Sequence, residues 1–269
     1  MSTVPFEVIS EDWGEYPQRA MRIAFRSGFD GTTDWALHVP GDANRSMVVY
    51  LHGSFSNADQ ILTRPDVRDH WLPRIVGAGH PLLSINMRNT SYMNPAATRD
   101  LHDLIAHCRA KGYARKVVLL GGSGGASSAM AYACVHPATI DGVVAMGMCD
   151  IFARLDFAEK SPMPLLQELA RVTYQGYGGS PADNPAPYRE RSVLLNAAKL
   201  MSLPIILAMG EEDMLIPVAE TRRIAEALKG NPRFRYVEIP GGGHDAPLWL
   251  NVDFETLEPG SPAWITPRA

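Results

Sequence analysis

The chain has 269 residues, 46% of them hydrophobic, and a formal net charge of −4. That size supports one sizeable core, and the scattered lysines and arginines argue against nucleic acid or an anionic membrane surface as partner. No apolar run is long enough to span a bilayer, residues 1–15 carry acids and no signal-peptide core, and Cys108, Cys134 and Cys149 follow no disulfide or metal spacing, so a cytoplasmic protein with reduced thiols is expected.

In chain order, residues 19–26 and 35–39 alternate as two antiparallel strands around the turn Gly28-Phe29-Asp30-Gly31. Met47-Val48-Val49-Tyr50-Leu51 is a continuous apolar run, the pattern of a central parallel strand buried on both faces. Runs of the same kind recur at 81–87, 117–120, 143–148, 204–209 and 234–239. Helical patterns fill the intervals at 57–78, 96–111, 125–135 and 218–228. This alternation predicts an α/β fold, a mostly parallel central sheet with helices on both faces. Residues 151–200 break the rhythm: too long for one crossover helix and rich in Pro, Gly and Tyr, they are expected to form a small cap insertion within a single domain spanning 1–269.

Gly121-Gly122-Ser123-Gly124-Gly125 follows one predicted strand and precedes the small-residue helix that begins Ala126-Ser127-Ser128-Ala129. A sharp strand-to-helix turn forces strained angles on the serine and leaves no room for bulky neighbours. It also holds the hydroxyl clear at the carboxyl edge of the sheet, with a helix N-terminus behind it. Strand, glycine loop and helix also hold pyrophosphate in dinucleotide folds. Here the third glycine of that fingerprint is missing, the loop lies mid-chain, and no P-loop lysine follows.

A serine hydroxyl needs a base, and the base needs an orienting carboxylate. The order serine, acid, histidine is offered by Ser123, Asp213 and His244. Asp213 lies in Gly210-Glu211-Glu212-Asp213, just past a buried strand; Glu211 and Glu212 read as a solvated acidic turn, and Asp150, after an earlier strand, is the competing acid. His244 ends the glycine-rich stretch Gly241-Gly242-Gly243, whose flexibility lets an imidazole reach a distant serine. His136, before Pro137, reads as a helix-end residue. An oxyanion needs two N–H donors: Gly124 supplies one and the loop His52-Gly53-Ser54-Phe55 the other, with Ser54 as first candidate and Phe55 next. His52 is read as a residue that holds this loop by bonding backbone.

Together, His52-Gly53, the Gly121–Gly125 turn, the Gly210–Asp213 loop and Gly243-His244 resemble the α/β-hydrolase superfamily, over about residues 20–250. Within it the chain is similar to small bacterial prolyl-oligopeptidase-like and dienelactone-hydrolase-like esterases. Met87-Arg88-Asn89 sits where such relatives often carry Asp-x-Arg-Gly, with Asn86 in place of the acid. The resemblance implies hydrolysis through an acyl-enzyme without a cofactor. The resemblance does not imply proline specificity, since prolyl oligopeptidases carry a β-propeller domain for which no room is expected in these 269 residues.

The expectation is therefore a serine hydrolase acting on a small-molecule carboxylic ester, with no nucleic acid or membrane partner and no stated oligomeric state. Phe55, Tyr174, Tyr177 and Trp249 are candidate substrate-pocket residues; the tyrosines of the insertion, Tyr188 included, serve equally to pack the cap onto the core. Asp103 and His107, four apart on a helix, fit a surface charge contact better than a metal site. Three alternatives stay open: a peptidase or amidase with the same residues, a nucleotide-binding oxidoreductase built on the glycine loop, and a non-catalytic binding protein.

Overall fold

The structure is a computed structural model that describes residues 4–16, 18–257 and the backbone of 265–266. Nine strands form its main sheet: β1 (Glu7–Trp13), β2 (Met21–Arg26), β3 (Thr33–Val39), β4 (Met47–Leu51), β5 (Leu82–Ile85), β6 (Val117–Gly122), β7 (Gly142–Met146), β8 (Ile205–Gly210) and β9 (Phe234–Ile239). Their spatial order is β1-β2-β3-β5-β4-β6-β7-β8-β9. The first three strands and the β3–β5 pair are antiparallel, and β5 through β9 run parallel. This is the α/β-hydrolase fold expected from the sequence.

Side chains alternate across a strand with a period of two, and here the alternation feeds two cores. Met47, Val49 and Leu51 of β4, with Val117 and Leu119 of β6, face one. Val48, Tyr50, Val118 and Leu120 face the other. Helices α3 (Pro95–Ala110), α4 (Gly124–Val135) and α9 (Val218–Leu228) cover the first face. On the second lies α2 (Pro65–Ile75), whose Val67, Trp71, Leu72 and Ile75 recur at helical spacing.

Three differences from the expected elements have physical causes. Strand β1 carries Glu7, Glu11 and Asp12 and is half exposed, so no apolar alternation announces it; pairing with β2, from Glu7↔Arg26 to Trp13↔Met21, defines it. Acidic residues on an edge strand also discourage pairing with another chain. The helix expected over 57–78 divides into α1 (Gln60–Thr63) and α2, because Arg64 precedes Pro65 and takes an extended ψ of 112°. The pair Asp103 and His107 is not formed: Arg99 Nε donates to Asp103 at 2.7 Å, while His107 lies 2.9 Å from Glu11 of β1.

Between β7 and β8 the chain forms α5 (Ile151–Lys160), α6 (Pro164–Tyr177), α7 (Pro185–Arg191) and α8 (Val193–Asn196). Helices α5, α6 and α7 share a separate apolar cluster that includes Ile151, Leu155, Leu166, Leu169, Tyr177 and Tyr188 and reaches Tyr92 of the β5–α3 connection, whereas Val193 of α8 joins the first sheet core. Among the described residues no helix is long and apolar enough to cross a membrane.

His38 of β3 is 1% exposed; its ring donates to the Leu82 carbonyl at 3.1 Å and stacks on Tyr113. Burial holds its pKa below the ordinary histidine value. The unfolded chain therefore takes up a proton near pH 6.5 that the folded state resists, so this contribution is complete above that pH and lost as pH falls. The urea midpoint should drop between pH 7.5 and 5.5, and His38→Gln should make that drop smaller by up to about 1 kcal/mol per pH unit. An unchanged pH slope in the variant would remove His38 as its source.

Candidate active site

Strand β6 ends at Gly122, and the next residue, Ser123, has φ 55° and ψ −118°, a sparsely populated region for a side-chain-bearing residue. The surroundings over-determine this turn. The Ser123 N–H donates to the Met146 carbonyl at the end of β7 (2.8 Å), and its own carbonyl accepts from Ser127 (3.1 Å). A Cβ on Gly125 would lie 1.9 Å from the Leu51 carbonyl oxygen, and one on Gly124 would lie 2.5 Å from Ser54 Oγ. The bare glycine backbones let α4 start against the end of β4, so the first turn of that helix directs its N–H groups toward the serine.

Asp213 lies three residues past β8, with its side chain fully buried. Its Oδ1 accepts the N–H groups of Leu215 (2.8 Å) and Ile216 (3.0 Å), and its Oδ2 accepts His244 Nδ1–H at 2.6 Å. The two loops are joined along their backbones: Glu211 N–H donates to Ile239 (3.0 Å) and Glu212 N–H to Gly242 (2.8 Å). Glu211 is exposed and accepts from the Gly241 N–H, so it remains on the acidic turn. Asp150 caps α5 instead, accepting from Phe152 N–H (3.2 Å), Ser192 Oγ (2.8 Å) and Leu194 N–H (3.1 Å). It ties two helices together and, among the described residues, has no bond to a histidine.

A carboxylate on Nδ1–H leaves Nε2 of His244 free to act as a base. His244 and Ser123 line the same cavity, which has a volume of about 180 Å³. They form no direct hydrogen bond among the described residues; such contacts commonly tighten only around substrate.

The loop after β4 is pinned at several points. Gly53 N–H donates to Gln60 Oε1 (3.0 Å), which also accepts Tyr50 Oη–H (2.7 Å). Phe55 N–H donates to Thr90 Oγ1 (2.7 Å), and Ser54 Oγ bonds Tyr92 Oη (2.8 Å). The Phe55 N–H is thus occupied, whereas those of Ser54 and Gly124 have no acceptor among the described residues, and Ser54 N is 3.0 Å from where a Gly124 Cβ would stand. His52 is buried, with its ring nitrogens 2.8 Å from the Gly53 and Asn86 carbonyls, in agreement with a loop-holding role; burial lowers its pKa.

Of the four expected pocket residues, only Phe55 lines the cavity. Tyr177 is buried, donates to the Tyr92 carbonyl (2.6 Å) and stacks on Tyr188 with ring centroids 4.4 Å apart, so it packs the insertion. Tyr174 turns to Glu159 (2.6 Å), and Trp249 stands edge-on to His70. The lining instead includes Leu165, Leu166 and Leu169 of α6, Leu248 beside the histidine loop, and the two arginines Arg64 and Arg154. Sequence pattern gave no sign of these residues, because helical apolar spacing does not distinguish a cavity wall from a core. Arg88 serves the scaffold, pairing with Asp30 (2.7 Å) and Asp100 (2.7 Å). The three cysteines are free and buried, and burial pushes each thiol up to about 12, away from nucleophilic use.

The chain belongs to the alpha/beta hydrolase family, whose model matches residues 48–254. Among solved structures it is similar to puromycin hydrolase (TM-score 0.65, 20% identity), covering 84% of this chain and 36% of that one. It therefore spans about a third of that enzyme's length. It is also similar to an esterase of Pyrococcus furiosus (TM-score 0.53, 14% identity, 89% of this chain and 84% of that one). A cold-adapted esterase from an Arctic intertidal metagenomic library gives a TM-score of 0.58 at 14% identity, covering 88% of this chain and 92% of the other. At these identities the likeness is one of fold. No curated protein matches the chain significantly.

Gly125→Ala should lower stability by about 3 kcal/mol and the melting temperature by roughly 6–12 °C. Gly243→Ala, where nothing lies within 4 Å of an added Cβ, should stay within about 0.5 kcal/mol. Equal melting temperatures for the two variants would contradict the close approach of α4 to β4.

Proposed function

We propose that the chain is a serine hydrolase that cleaves small carboxylic esters through an acyl-enzyme. The observation that carries this reading is the 2.6 Å Asp213–His244 bond beside a cavity that both His244 and Ser123 line. Ser123 Oγ attacks the ester carbonyl while His244 Nε2 takes its proton. Collapse of the tetrahedral intermediate expels the alcohol, to which His244 returns that proton. Water then attacks the acyl-enzyme by the same route, with His244 as base, and the acid is released. Asp213 keeps the imidazole in the tautomer with Nδ1–H and stabilises the imidazolium.

The oxyanion is held by the N–H groups of Ser54 and Gly124, which have no acceptor among the described residues. Each contributes about 3 kcal/mol in the transition state. A cavity of about 180 Å³ is smaller than the roughly 300–1,000 Å³ of sites for drug-sized ligands, which favours a short acyl group. Helices α5 and α6 act as a cap, since Arg154 and three leucines of α6 line the cavity.

Ser123→Ala should lower turnover of 4-nitrophenyl acetate at least about 10⁴-fold, with an unchanged circular dichroism spectrum, and a fluorophosphonate should label Ser123 alone. Turnover near wild type would reject the assignment. Asp213→Asn should cost about 10³–10⁴-fold in kcat, whereas Asp150→Asn should mainly lower the melting temperature; the reverse pattern would move the acid to Asp150. An anilide of the same acyl group should turn over far more slowly than the ester, and a faster anilide would make the enzyme an amidase.

A further inference from the structure

We propose that Arg154 makes this cavity a site for esters that also carry a carboxylate a few bonds from the scissile bond, an inference that rests on the hydrolase reading above. Arg154 belongs to α5 and is 3% exposed, yet it lines the cavity together with Ser123 and His244. Its Nη1 donates to the Leu215 carbonyl, two residues from Asp213. Among the described residues no carboxylate oxygen lies within 4.0 Å of its guanidinium, and the other N–H groups have no protein acceptor.

An arginine cannot shed its proton to escape burial. A buried cation without a counter-charge is held at a desolvation cost, so an anion that completes the site recovers a large interaction. Arg64, the other arginine of the lining, lacks this property. It is half exposed and pairs in two places with Asp66 (2.8 and 2.6 Å). The acids nearest the cavity do not oppose an incoming carboxylate. Asp213 turns both oxygens to three donors of its own loops and Asp150 turns its oxygens to three others, so their lone pairs are committed away from an incoming carboxylate. Asp245, at the lining, has a 63% exposed side chain that faces Arg64 at 3.8 Å. The planar fork of a guanidinium matches a carboxylate through two parallel bonds, and the bond to Leu215 fixes its orientation beside the loop that carries Asp213.

The test uses two matched pairs: 4-nitrophenyl hemisuccinate against 4-nitrophenyl butanoate, and 3-acetoxybenzoate against phenyl acetate. The first places the carboxylate on the acyl side and the second on the leaving group. Wild type should prefer the charged member of one pair. Arg154→Gln should lower its kcat/KM by about 10- to 100-fold, mostly through KM, and change the neutral member by less than about threefold. Arg154→Lys should recover part of the preference. Equal losses on both members would make Arg154 only a support of the Leu215 loop, and a preference for the neutral member in both pairs would overturn the proposal.

A second readout needs no turnover. Succinate, and not succinamide, should raise the melting temperature of the wild type, and Arg154→Gln should abolish the rise; no rise with succinate would overturn the site even if the variant fails to fold. Fluorophosphonate labelling of Ser123 separates the two readings. Labelling without a charge preference or a succinate shift sinks the anion site and leaves the hydrolase standing, whereas failure to label or to cleave any ester sinks the hydrolase.

Discussion

The parallel ladder from β4 to β9 sets the geometry on which everything else in the molecule depends. Leu51 is paired with Gly121, Gly122 with Met146, Met146 with Ala208 and Gly210 with Ile239. Strands in this register all end at one edge, spaced about 4.8 Å apart. The serine leaves the third strand before the one that launches the histidine loop. His244 therefore has to travel back across roughly 14 Å of sheet edge, and a Cβ on Gly147, just past β7, would touch its Cε1 at 3.5 Å. The backbone bonds between residues 211–212 and 239–242 turn that long return into a fixed path.

The same edge explains why strain is concentrated at Ser123. A strand that must become a helix within one residue cannot keep that residue in an ordinary conformation. The cost is offset by close backbone packing: α4 presses on the end of β4 because Gly124 and Gly125 lack side chains. Phe55, with φ 59°, and Arg88 and Asn89, with φ 54° and 60°, show that the neighbouring loops are held in unusual conformations too. Gln60, Thr90 and Tyr92 hold the β4 loop, and the Asp30–Arg88–Asp100 ion pairs hold the loop after β5.

Around this rigid edge the segment between β7 and β8 supplies a different kind of wall. Its apolar cluster is nearly separate from the two sheet cores, so substitutions there can alter the cavity without disturbing the sheet. Leucines of α6 give the cavity an apolar wall, and a lower local dielectric strengthens charge interactions inside. In that setting a buried guanidinium and an Asp–His pair impose a strong electrostatic pattern on whatever enters.

Most strands, their parallel arrangement and the expected positions of Ser123, Asp213 and His244 were legible because each leaves a local mark: runs of four to seven residues, glycines around a serine, and glycines before a histidine. Strand β1 left none, since an edge strand with acidic residues takes its identity from its partner. The choice between Asp213 and Asp150 also needed tertiary structure, because both acids follow a buried strand and only the loop contacts separate a histidine partner from a helix cap. The cavity was least legible. Tyr177 turned inward to Tyr92 while Arg154 faced the site, since which side of a helix meets a cavity depends on how distant elements pack. Sequence alone settles what repeats along the chain; the meeting of groups 30 to 90 residues apart is settled only when the sheet brings their loops to one edge.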